Sequence, residues 1–194
     1  MSFSPNANGP RGFDVAKGRD GTPQRCTIHR ILGTYGSKIH TGAPVTLAAD
    51  GTVQLLSAAN DPILGVFNGC EYVEVNGDIK FSPYWPAPGA VKAGTTPTCR
   101  IYPAEGLFLI HASASLAQAK VGEFADLIAL SGGDDVTGRA DSVQMDAVNT
   151  DATVQTTNVV QIVEVSPREE GGNGAPATLA VVQFIRPQFA ANVA

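Results

Sequence analysis

Three histidines, three cysteines and two pairs of adjacent carboxylates are the residues of this chain best suited to chemistry. A catalytic or metal-bound imidazole needs partners at fixed spacing, such as a second histidine one helical turn away. His29, His40 and His111 have none: His29 lies in the alternating stretch RCTIHRIL, His40 just ahead of a turn, and His111 at the end of an apolar run. They are expected to be ordinary imidazoles. Cys26, Cys70 and Cys99 are odd in number and far apart, without a C-x-x-C pair or a Cys/His cluster at metal-ligand spacing. They read as small hydrophobes in a reducing compartment.

Asp134–Asp135 and Glu169–Glu170 both sit in glycine-rich segments. A glycosidase holds its two carboxyls about 5–9.5 Å apart across a cleft, which neighbours on one loop do not supply. The string GGDDVTG, Gly132 to Gly138, has the composition of a calcium loop but not its alternating acids or distal glutamate, so any ion site at 132–138 is weakly specified. No nucleophile elbow, cysteine-protease signature or phosphate loop is present. The expectation is a protein that is not an enzyme, with no catalytic residues, no cofactor and no metal.

One further segment, SPYWPAP, stands apart. Tyr84 and Trp85, the only tryptophan, lie between Pro83 and Pro86, and the prolines bias this backbone toward an extended, non-ladder conformation. Two readings stay open. The loop folds back over one end of the sheet core, or the two rings anchor a neighbouring subunit, since Trp and Tyr are enriched at interface cores.

The elements that must carry these residues read as strands. Gly (21) and Pro (13) are abundant and charged residues make up only 16% of the 194, a usage that suits strands and turns. APVTLAADGTVQLLS reads as two strands joined at Asp50–Gly51, and EYVEV and DIKFSPY are joined at Asn76–Gly77. Asp-Gly and Asn-Gly mark hairpins because a type I′ turn needs positive φ at both central positions. The first half is thus a meander with turns every 8–12 residues or so, as in a sandwich or barrel. SLAQAKVGEFADLIAL, 115–130, is the one helix candidate, although Gly122 leaves its second half open to strand.

The organisation expected is an extended N-terminal arm at 1–24, a β domain at 25–187 with a Pro/Gly-rich excursion at 82–98, and a C-terminal tail at 188–194. The arm lacks periodicity but carries apolar anchors at Phe3, Phe13 and Val15. The fold class is all-β: a compact antiparallel sandwich or barrel of short strands with at most one short helix. A formal net charge of −5 and no dense basic cluster argue against direct nucleic-acid binding. MSFSPNANGPRGF has no apolar signal region, and no apolar run approaches the roughly 20 residues of a membrane span, so a cytoplasmic origin and no membrane partner are expected.

The segment GAPVTLAADGTVQLLSAANDPILGVFNG resembles a recurring element of bacteriophage head proteins: a G-x-P-V strand, a D-G turn and a short link to ILGVF-x-G. NGDIKFSPYWPAP, ADLIALSGGDDVTGRADSVQMD and VVQIVEV…ATLAVVQF are similar to tailed-bacteriophage capsid decoration (cement) proteins. The likeness runs from about Ile39 to Phe184, while the arm and the Trp loop depart from the minimal pattern. It implies a structural virion protein on the outside of an assembled head, bridging major capsid protein subunits, often as a homotrimer. Phe3, Phe13, Val15, Tyr84 and Trp85 are then the candidate subunit or capsid contacts. Two other classes are kept: a self-assembling virion component (head-fibre base, tail-tube or shell subunit) and a carbohydrate-binding β-sandwich with Tyr84 and Trp85 as a sugar-stacking platform.

Overall fold

A computed structural model of the chain describes residues 11–18, 21–169 and 178–188. The strands in chain order begin with β1 (Asp14–Lys17), β2 (Thr27–Arg30), β3 (Ile39–His40), β4 (Pro44–Leu47) and β5 (Val53–Leu55). The long β6 (Gly65–Val73) precedes β7 (Ile79–Ser82), β8 (Tyr84–Trp85) and β9 (Thr98–Pro103). Then come β10 (Leu107–His111), β11 (Phe124–Leu127), β12 (Met145–Asp151), β13 (Val160–Glu169) and β14 (Thr178–Phe184). All pairings between these strands are antiparallel, as the all-β reading expects.

One sheet runs β1-β10-β14-β13-β11-β12 and a second runs β2-β9-β6-β4-β5, with β7 also on β6; β3 and β8 form a two-stranded ladder. Alternation decides what lies between the sheets. Phe108 and Ile110 of β10 stand opposite Val182 and Ala180 of β14, and all four are fully buried. Phe67 and Ile101, paired across β6 and β9, join the same core.

Both predicted hairpins form, but not with the expected turn. Gly51 and Gly77 have positive φ, at 79° and 99°, whereas Asp50 and Asn76 do not. Gly51 N–H donates to Ala48 O and Ala48 N–H to Thr52 O. That is a three-residue loop with glycine alone in the left-handed position, not the two-residue I′ turn. Asn76-Gly77 repeats it, with Gly77 N–H bonded to Glu74 O and Glu74 N–H to Asp78 O. The glycine carries the left-handed bend, so the preceding residue is spared it.

Three boundaries are corrected. Residues 13–17 are not arm: β1 pairs with the edge of β10, and Phe13 is buried among Phe108 and Phe184. The helix at 115–130 is absent. Only Gln118–Lys120 make a 3-10 turn, Gly122 turns the chain at φ 94°, and Phe124 enters β11. Val121, on the supposed apolar face, is 38% exposed, and the pairing of β11 with β12 and β13 outweighs local helix propensity. The excursion at 82–98 is also shorter than expected, because β7 ends at Ser82, β8 covers Tyr84–Trp85 and β9 begins at Thr98.

Candidate functional site

Trp85 belongs to the core. Its ring has no exposed surface, meets Tyr72 edge-on at 5.9 Å, and its Nε1–H donates to Tyr35 O at 3.1 Å. β8 pairs with β3, and Ser82 Oγ–H donates to Tyr84 O at 2.6 Å, so the Pro-flanked loop folds back over the sheet. This settles the two sequence readings of the loop for Trp85 and leaves no face of it on which a sugar could stack. Phe13, at 2% exposure, is likewise a core residue. Neither ring can reach another subunit from where it lies. Val15 is half-buried and packs on the core, opposite Phe108. Tyr84 is half-buried and stacked on His40 at 5.4 Å. Phe3 lies outside the described residues.

The chemical groups singled out by sequence are engaged locally. His40 is buried, with Nε2 3.0 Å from Asp135 Oδ1, and Lys38 donates to the other oxygen of the same carboxylate. Those two contacts, Lys38 first, hold the Asp135 carboxyl below its ordinary range. Asp134 turns into its own loop and accepts from Val136 N–H at 3.0 Å and Thr137 N–H at 3.3 Å, which lowers its pKa. The GGDDVTG carboxylates therefore point to different partners and do not converge on one point. Gly133 lets this loop sit flat on His40, since a Cβ there would lie 2.3 Å from His40 Cγ.

His29 meets Thr27 Oγ1 at 2.9 Å, and burial lowers its pKa; His111 is buried at the end of β10. Cys70 and Cys99 face each other across β6 and β9, both buried, and burial pushes both thiols up to about 12. Cys26 is half-buried. Among the described residues, no group of three or more His, Cys, Asp or Glu side chains is placed to hold a metal ion. Glu170 lies outside the described residues.

A group of exposed apolar side chains lies elsewhere, on the outer face of the β2-β9-β6-β7 part of the second sheet. Ile28 on β2 is 73% exposed, and Phe81 and Ile79 on β7 are each 66% exposed. Ile28 stands opposite Arg100, and Glu71 bridges the register between Thr98 and Phe81. Between the Ile28 and Phe81 walls lies a groove of about 510 Å³, floored by Gly69, Glu71 and Arg100. The floor is low because β6 bulges between Phe67 and Cys70, and the bulge places a glycine at φ 88°. A Cβ on Gly69 would lie 2.9 Å from Ser82 O, so the wall strand could not pack as it does. The sequence carried one trace of this groove: Asn68-Gly69 sits inside a strand pattern, where an isolated glycine marks a bulge. Alternation alone does not say which face of a strand is left uncovered, so Ile28 and Phe81 were not legible as surface residues.

No protein-family model, curated protein or solved structure matches the chain. The fold is that of an all-β protein, and a groove with apolar walls lies on the outer face of its second sheet.

Proposed function

We propose that this is a structural virion protein that binds the outside of an assembled phage head and stabilises it by bridging major capsid protein subunits. The observation that carries the reading is the groove between Ile28 and Phe81, whose apolar walls stay exposed on one face of the second sheet. Large apolar side chains held at that exposure along one sheet face mark an interaction surface. The resemblance of the Gly42–Gly69 segment and its successors to decoration proteins supplies the kind of partner. In this reading the protein is not an enzyme, and its site is the groove face in place of Phe13 and Trp85. Because it binds only assembled shells, it stabilises them by mass action.

Light scattering of the purified chain across a concentration series tests the reading against the self-assembling alternative. A monomer or a discrete small oligomer, with the trimer the favoured state, is expected, because the lattice is supplied by another protein. Tubes or closed shells formed by the chain alone would move it to the tail-tube or shell class.

A further inference from the structure

The groove face carries charge as well as apolar walls. Arg30 stands opposite Thr98 and Arg100 opposite Ile28, so the two arginines are diagonal neighbours on adjacent strands of one face. Diagonal positions on an antiparallel pair lie roughly 7–8 Å apart. Both residues are exposed, and among the described residues neither guanidinium makes a hydrogen bond or an ion pair. Arg139, which lines the groove together with Arg100, is committed to Asp14, at 3.0 and 3.2 Å. A chain of net charge −5 thus leaves two cations side by side on the face that also exposes Ile28 and Phe81. Guanidinium forks are matched to carboxylates, and unneutralised neighbours of like charge favour an anion placed between them.

Resting on the reading of this face as the docking surface, we infer that its partner segment is an extended, acidic and apolar stretch of polypeptide. Its apolar side chain enters the groove between Ile28 and Phe81, and a carboxylate spans Arg30 and Arg100. An extended chain alternates its side chains every residue, so residues two apart along the partner reach the groove and the arginine pair together. Specificity comes from the arginines and contact area from the apolar walls.

The test is an NMR titration of the 15N-labelled full chain with two blocked heptapeptides. One places phenylalanine, aspartate and leucine at every second position with threonine between them, so that apolar and acidic side chains two residues apart share one face, and the other has lysine at the aspartate. Saturable shifts at Ile28, Glu71, Phe81 and Arg100 are expected with the acidic peptide alone. Arg30→Glu combined with Arg100→Glu should weaken it by at least about tenfold and admit the lysine peptide. Both positions are exposed, so the variant's unperturbed remaining spectrum confirms the fold. Equal shifts with both peptides, no saturable shifts with either, or the same shifts from inorganic phosphate would overturn the inference. So would peptide-independent shifts that grow with protein concentration, which would make the face a self-interface. Retention on heads without peptide discrimination would sink the partner chemistry alone, whereas peptide discrimination without retention on heads would sink the capsid reading alone.

Discussion

Replacing Trp85 separates a core role from a contact role in one experiment. The side chain is fully buried, and truncating such a residue to alanine costs about 3–5 kcal/mol through lost burial and the cavity left behind. With a urea dependence of about 2 kcal/mol per molar, the unfolding midpoint should fall by about 2 M. A protein of ordinary stability, about 5–15 kcal/mol, can lose a large fraction of its folded margin that way. Trp85→Phe is the gentler variant. It keeps a ring against Tyr72 but removes the Nε1–H donor to Tyr35 O, at about 1–2 kcal/mol and a midpoint shift of about 0.5–1 M. Equilibrium unfolding followed by circular dichroism reads both without relying on the lost fluorophore. A Trp85→Ala midpoint within about 0.2 M of the wild type would refute the core assignment and return the ring to the surface.

Three further outcomes follow from local geometry. Ala87 is the one described non-glycine residue at positive φ (77°), between two prolines, so Ala87→Gly should relieve about 1 kcal/mol of strain and raise Tm by roughly 2–4 °C; an unchanged or lower Tm would mean the position is relaxed. Asp135 has its carboxyl depressed by Lys38 and then His40, so its contribution is complete above the ordinary value of 3.8 and is lost as pH falls below it. The stability gap between wild type and Asp135→Asn should therefore narrow in acid below pH 3.8, and a gap that widens there would contradict the contact. In native protein at pH 8, a thiol reagent should modify Cys26 and spare Cys70 and Cys99, whose thiols are buried and pushed up to about 12; rapid modification of all three would show that β6 and β9 open readily.

The strands were legible wherever turn chemistry and alternation agreed. VTLAADGTVQL became β4 and β5 at the expected place, because the glycine that needs positive φ also ends the ladder. Where two periods were admissible the sequence misled. Leu116, Val121 and Phe124 fit a helical stripe, yet the chain pairs as β11, because a neighbouring strand supplies more than local propensity does. Phe13 and Trp85 were legible as anchors but not as to what they anchor. A lone aromatic beside Pro or Gly looks the same whether the sheet that buries it belongs to its own chain or to another. The groove was the least legible feature, since it is made by a bulge and by the exposure that the described residues leave at Ile28 and Phe81. Both depend on β2 and β9 pairing beside the β6-β7 hairpin, and those segments are not neighbours in sequence.

The most direct test of the proposed docking surface and of the proposed virion role is quantitative cosedimentation of wild type and Phe81→Asp with empty, expanded phage heads assembled from a major capsid protein. Phe81 is 66% exposed, so the substitution should change stability by no more than about 0.5 kcal/mol. Saturable retention of the wild type at a fixed number of copies per head, with loss of retention in Phe81→Asp, is the expected result. Failure of the wild type to bind would contradict the virion role, and equal retention of the two proteins would place the contact on another face.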